Sequence, residues 1–370
     1  MGKLELGLRM KFNDEPIEAP NSARLSALCL QLKSLSAEAD STTAWPAKQL
    51  ELIAEAGIYH WFVPELLGGS GWSARDIVAG YIKLAASCLT TTFIITQRVA
   101  AIKRICNSQN EPLRDRLLPG LMNGQSPATV GISHLTTSRR HVKGSVLRAT
   151  KVEDGFLVNG FSPWVTGACG AANVVMGAVL EDDQQVLFVA PTDGKGVTVD
   201  PGFDLVGLSG SQTGPVKCND VFVSLDSVLA GPVENVLVSR SGPSTGSFQT
   251  SALAIGLAKA AIDFIENESQ QRPDLSEKHG ALSEQLAEIQ ERLFKLASGL
   301  QVCSNEELRI EANSLVLRAT QSALVAAKGA GYVEGHPVGR WCREAMFFLV
   351  WSCPQAVLDA NLCEFAGIQS

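Results

Sequence analysis

The chain has 370 residues, 45% of them hydrophobic, and 38 acidic against 31 basic side chains give it a formal charge of −7. That length supports two or three domains around sizeable cores. Lys and Arg are scattered over an acidic chain, which excludes the basic stripe that nucleic acid or an anionic lipid surface requires.

The longest uninterrupted apolar run, AMFFLVW at 345 to 351, is far shorter than the roughly 20 residues needed to cross a bilayer. No membrane span is expected. The opening MGKLELGLRM is charged and lacks an apolar core, and Leu6 stands where a myristoylation signal carries Ser or Thr. A cytoplasmic protein is expected. Nine cysteines with no C-x-x-C and five histidines never at H-x-x-x-H spacing point to free thiols in a reducing compartment and to no metal site.

In chain order, residues from Ser22 to about Gly124 read as helical. SARLSALCLQLKSL and WPAKQLELIAEAG place apolar residues three and four apart behind capping-type Ser and Pro. VPELLGGSGWSARD interrupts them with three glycines before a fresh Ser-capped helix. Between 126 and 232 the texture changes to short β-rich runs such as SVLRATKV, GFLVNGF, ANVVMGAVL and QVLFVAP, separated by EDG, EDDQ and TDGKG turns. Their spacing predicts an antiparallel sandwich or barrel. No G-x-G-x-x-G follows a strand, so Rossmann-type nucleotide binding is not expected. After AGPVEN, three long amphipathic segments begin at Phe248, Ser276 and Asn305 and, with the terminal pieces, predict an antiparallel four-helix bundle. The reading is therefore an α+β multidomain chain: a helical domain over 1–125, a β domain over 126–232 and a helical bundle over 233–370.

Four motifs narrow the function. DGFLVNGFSPWVTGACGAANVVMGAV at 154 to 179, with Asn159, Gly160, Trp164, Val165 and Thr166, resembles the middle-domain signature of the acyl-CoA dehydrogenase superfamily. AGIYHWFVPELLGGSGWS, VGLSGSQTGPVKCNDVFV and GAGYVEGHPVGRWCREA match three further segments of that superfamily in order and spacing. The resemblance covers about residues 40 to 365.

It implies FAD as cofactor, an acyl thioester or related small molecule as substrate, and a homodimer or homotetramer assembled through the last bundle. Trp164 would cover one face of the flavin ring, and Thr166 would hydrogen-bond the ring edge near N5; the alternative for Trp164 is an aromatic of the sandwich core. Backbone groups at Ile132 and the hydroxyl of Ser133 would meet the pyrimidine edge, where a reduced flavin gathers negative charge. Gly329 and Gly331 would lie near the adenine end. His134 stands where the superfamily carries Glu, and Ser138, Arg139 and Arg140 replace its Gly-Ser-Asp.

α,β-Desaturation of a thioester needs a base for the α-proton. Counting without gaps from Arg343 places Ser352 where the superfamily carries its catalytic glutamate, and the second position used for that base falls near Gly246. Neither is a carboxylate. An alcohol serves as a base only with a partner such as His, and spacing puts neither His134 nor His336 beside Ser352. Ser269 and Arg272 replace the pair that grips the cofactor pyrophosphate, and Pro354 and Ala356 replace the Thr and Gln beyond the base. Three readings follow: an FAD-dependent acyl-thioester dehydrogenase with an altered base position; a flavin-dependent oxidase or monooxygenase with His134 near the flavin edge; or a catalytically inactive binding protein in which Ser352 to Pro354 is only a helix break.

Overall fold

The computed structural model describes residues 17–41, 45–136, 147–238 and 248–368. Helix α1 (Ala23–Leu35) starts where the Ser22 hydroxyl accepts from the Leu25 N–H, and it buries Leu25, Leu28 and Leu32 at helical spacing. After α2 (Glu38–Ser41) and α3 (Ala47–Glu55), the glycine-rich segment gives way to α4 (Ala74–Ser87), capped by Ser73. Helix α5 (Leu89–Cys106) is buried on nearly every side, so it is the axis on which the other elements pack. Helix α6 (Glu111–Met122) completes the first group.

Strands β1 (Ala128–Gly131), β2 (Arg148–Val152), β3 (Gly155–Thr166), β4 (Asn173–Val179), β5 (Gln185–Pro191), β6 (Val197–Val199), β7 (Thr213–Ser224) and β8 (Val228–Val233) form one sheet. Its order is β6-β7-β3-β2-β4-β5-β8, with β1 beside β4. Most pairs are antiparallel, but β1 with β4 and the single contact of β2 with β4 are parallel. The middle module is therefore mixed rather than wholly antiparallel. β1 and β4 are separated in sequence by two strands and the short α7 (Ser133–Thr136), a long crossover of the kind parallel pairing needs.

The last part holds α8 (Phe248–Ser269), α9 (Ser276–Ala297), α10 (Asn305–Ala327), α11 (Pro337–Ala345) and α12 (Gln355–Ala366). The terminal pieces expected to complete the bundle are α11 and α12, separated by a 3-10 turn over Met346–Leu349 and by Ser352, whose φ is +47°. Among the described residues one helix, α8, is long and apolar enough to cross a membrane by length and composition, yet 67% of that stretch is buried. It is a core helix. A Cβ at Gly256 would lie 2.6 Å from the Ile82 carbonyl and 2.7 Å from the Ala85 methyl, so glycine there lets α8 cross α4 almost backbone to backbone.

One apolar core joins the helices before and after the sheet, and a second lies within the sheet around Phe156, Met176, Phe188 and Val216.

Candidate active site

The register of β3 on β7 slips between Ser162–Val216 and Val165–Gly214, leaving an extra residue at Pro163 and Trp164. Such a bulge bends a strand and re-aims a side chain. Trp164 is 45% exposed, whereas Val165 and Thr166 after it are buried. The Trp164 ring packs on Phe203 with centroids 5.0 Å apart, and the Phe203 N–H donates to the Thr213 carbonyl at 2.9 Å. Thr213 in turn meets Thr166, Oγ1 to Oγ1 at 2.9 Å, and Ser211 Oγ lies 2.8 Å from Thr213 Oγ1. Plain strand alternation does not run through the bulge; Trp164 and Thr166 are linked instead by a chain of contacts through Phe203 and Thr213.

The first helices hold the turn after Thr166. Arg98 of α5 donates to the Tyr59 hydroxyl at 2.9 Å and to the Gly170 carbonyl at 3.2 Å. The Trp45 ring lies so close over Gly170 that a Cβ there would fall 2.3 Å from it.

Ile132 is buried between β1 and α7, and Ser133 opens α7. The His134 Nε2 lies 2.8 Å from the Gly177 carbonyl. A carbonyl only accepts, so Nε2 carries the proton and Nδ1 is a lone-pair acceptor. Nδ1 is buried and has no partner among the described residues. Burial pushes the imidazole pKa below 6.5, against the opposing pull of the Gly177 carbonyl. A histidine depressed in this way favours folding fully above pH 6.5 and loses that contribution as pH falls through its folded value. His134→Gln, neutral at every pH, should therefore lose less stability than the wild type between pH 7 and pH 5. Urea midpoints at the two pH values check this, and equal losses would place the imidazole in contact with water.

Ser352 is half-buried and caps neither neighbouring helix: the 3-10 turn before it ends at Val350, and Pro354 stands at the N-cap of α12 without a side-chain cap. The turn is held from α10. Arg309 Nη2 donates to the carbonyls of Phe348 at 3.4 Å and Trp351 at 3.2 Å, and Asn313 Nδ2 donates to Phe348 at 3.1 Å. Arg309 is buried and makes no ion pair among the described residues; burial lowers its pKa to about 10, which leaves it cationic at neutral pH. In front of the turn, Phe347 and Trp351 stack at 5.0 Å, and Phe93 of α5 meets them edge-on at 4.7 and 5.0 Å.

The next residue of α5, Ile94, faces the other half of the site: a Cβ at Gly167, the residue after Thr166, would sit 3.6 Å from the Ile94 side chain. The turn after Thr166 and the turn bearing Ser352 thus meet consecutive residues of one helix. Gly329 is not brought to them. It sits on the 3-10 turn Lys328–Tyr332, beyond the end of α10 opposite Arg309, about 27 Å along the helix at 1.5 Å per residue. A Cβ at Gly329 would meet nothing within 4 Å. His336 accepts from the Val338 N–H at the start of α11, and neither it nor His134 is hydrogen-bonded to Ser352. Ser269 bonds within its own helix end, and Arg272 donates to the Ala326 carbonyl. Ser138 to Arg140 and Gly246 lie outside the described residues.

The spacing-based reading missed Arg309 and Asn313, although both occupy the buried stripe of α10, where a charged residue is the anomaly. It also passed over Glu344 in the R-E-A segment. Glu344 is fully buried, 3.8 Å from Arg340 Nε, and accepts from Thr90 Oγ1 at 3.5 Å. Burial drives its pKa to about 7, against the partial opposition of Arg340.

Residues 28–125 match the family model described as acyl-CoA dehydrogenase, N-terminal domain. A probable acyl-CoA dehydrogenase of Bacillus subtilis, YngJ, is 23% identical over 332 residues, covering 83% of this chain and 86% of that protein. The butyryl-CoA dehydrogenase of Megasphaera elsdenii superposes with a TM-score of 0.79 at 19% identity, over 96% of this chain and all of that one. Residues 28–125 thus match an acyl-CoA dehydrogenase domain, and the fold of the chain is that of the acyl-CoA dehydrogenases. An FMN-bound protein, TdsC of Paenibacillus sp. A11-2, also superposes, with a TM-score of 0.76 at 16% identity over 94% of this chain and 97% of that one.

The acyl-CoA dehydrogenase fold would hold a flavin, and the residues present fit one. Trp164 is half exposed near the end of a largely buried strand, the Thr166 hydroxyl two residues on is a buried polar group, and His134 Nδ1 is a buried acceptor in want of a donor.

Proposed function

We propose that the protein is an FAD-dependent oxidoreductase that desaturates an acyl thioester between its α and β carbons, from a site whose usual carboxylate base is replaced by Ser352. The observation that carries this reading is the meeting of the Thr166 turn and the Ser352 turn on Ile94 and Phe93 of α5. When bound, FAD supplies an acceptor for hydride at N5 of its ring.

Trp164 covers one ring face, and the Thr166 hydroxyl bonds the ring edge near that atom. The main chain at Ile132, the Ser133 hydroxyl and His134 Nδ1 take the pyrimidine edge, with Nδ1 accepting an N–H. Phe93, Phe347 and Trp351 exclude water and offer an apolar wall to the acyl group. Ser352 retains its proton at neutral pH because no base is hydrogen-bonded to it, so the α-proton would pass to a water reaching the half-buried Ser352 turn, a weak base, and its removal would be the slow event. Gly329, on open surface one helix length away, takes the adenine end. The apolar side chains exposed at that end of α10, Val325, Tyr332 and Val333, support a homodimer or homotetramer. A cytoplasmic location belongs to the same reading.

Ser352 also favours a second reading, a flavin-dependent oxidase or monooxygenase, for which a thioester base is dispensable; the superposition on FMN-bound TdsC supports FMN as the flavin in that case. Anaerobic titration of the FAD-loaded protein with a panel of acyl thioesters separates the two. Bleaching of the flavin band by a thioester is expected. No bleaching by any thioester, together with oxygen-dependent hydroxylation by the reduced protein, would replace the first reading with the second.

A further inference from the structure

Thr166, Thr213 and Ser211 form a file of three buried hydroxyls, 2.9 and 2.8 Å apart. We infer that Thr213 and Ser211 are positioning residues that fix the hydrogen-bond direction of the Thr166 hydroxyl, making it a donor toward its ligand; this rests on the flavin site proposed above.

Each hydroxyl has one proton to give, so the file has two self-consistent directions. In the outward one, Ser211 donates to Thr213, Thr213 donates to Thr166, and the Thr166 proton is free for a ligand. In the inward one, a ligand donates to Thr166, Thr166 to Thr213 and Thr213 to Ser211, whose own proton then needs an acceptor. Ser211 is wholly buried, and among the described residues its hydroxyl meets only Thr213. The inward direction thus strands a proton in the interior, a cost the outward one avoids. Accepting from Thr213 also polarises the Thr166 O–H and strengthens its donation.

The rest of the environment leaves that proton no competing inward use. The Thr166 carbonyl is taken by Thr129 Oγ1, which donates at 2.7 Å, and the Thr213 carbonyl by the Phe203 N–H. An outward donor suits a ring nitrogen that carries a lone pair, as N5 does in oxidised flavin, and suits poorly the N–H that the reduced ring carries there. The file therefore selects for oxidised over reduced FAD, and Thr213 acts through Thr166 without touching the ring.

The test compares FAD affinity in the oxidised and the anaerobically reduced forms for wild type, Thr213→Val, Thr213→Ser and Ser211→Ala, with thermal unfolding of each protein as a fold control. Thr213→Val should weaken oxidised FAD about fivefold relative to reduced FAD, the size expected for one hydrogen bond. Ser211→Ala should shift the ratio the same way by a smaller factor, and Thr213→Ser should restore it. Equal weakening of both redox forms by Thr213→Val, or none, would overturn the inference while leaving the flavin site standing. Should Thr213→Val not fold, the Ser211→Ala ratio decides alone, an unchanged value counting against the inference. A wild-type protein that takes up neither form would overturn both the site and the inference.

Discussion

Ser352→Glu should speed the anaerobic bleaching of bound flavin by an acyl thioester roughly 100-fold or more, the range that a positioned general base contributes. The backbone is already prepared for a side chain there: Ser352 holds φ at +47° without being glycine, so exchanging one side chain for another adds little strain of the left-handed kind. The electrostatics are favourable too. Arg309, bonded to the Trp351 carbonyl one residue earlier and lacking an acidic partner among the described residues, would favour the ionised carboxylate, the form that accepts a proton. The aromatic group of Phe93, Phe347 and Trp351 keeps water from competing. Stopped-flow absorbance of the variant and the wild type, each loaded with FAD, gives the comparison. An unchanged rate in a variant that still holds its flavin would remove Ser352 from the base position.

Glu344→Gln should stabilise the protein at pH 8 and leave it unchanged near pH 4.5. In the fold the Glu344 carboxyl has its pKa raised from 4.5 to about 7, so between those values the folded state keeps a proton that the unfolded state has released. Stability then falls as pH rises from 4.5 to 7 and is level beyond. At about 1.4 kcal/mol per unit, the whole span is worth up to about 3 kcal/mol. Glutamine keeps an oxygen for the Thr90 hydroxyl and carries no charge, so it stands in for the protonated acid. Chemical denaturation at the two pH values measures the difference, and a glutamine variant less stable than the wild type at pH 8 would mean that Arg340 outweighs the cost of burial. The slope has the opposite sign to that of His134 and overlaps it in pH, so the wild-type curve alone will look flatter than either contribution. The two single variants resolve them.

Much of the fold was legible because local signals agreed with one another. Ser22 and Ser73 cap the helices they precede, the apolar spacing of α1 and α4 matches their buried faces, and the turn clusters fall between strands. What escaped the reading is non-local. The parallel place of β1 beside β4 depends on where α7 delivers the chain, which strand periodicity does not encode. Pro163 hinted at the bulge, since proline donates no ladder bond, but the outward turn of Trp164 depends on Phe203, some 40 residues on. For the proposed site, the motif nominated Trp164, Thr166 and Ile132. The tautomer of His134 was not, being set by a carbonyl on β4. The support under Ser352 comes from Arg309 and Asn313, about 40 residues upstream, and no count of spacing along 347 to 357 reveals it.

The close crossing of α4 and α8 at Gly256 has a mechanical meaning. Since helices before and after the β sheet interlock in a single body, the sheet is an insertion with two anchored roots, packed on that body through β1, β4, β5 and β8. Pulling the two roots of the sheet apart would therefore load the α4–α8 crossing before any strand pair.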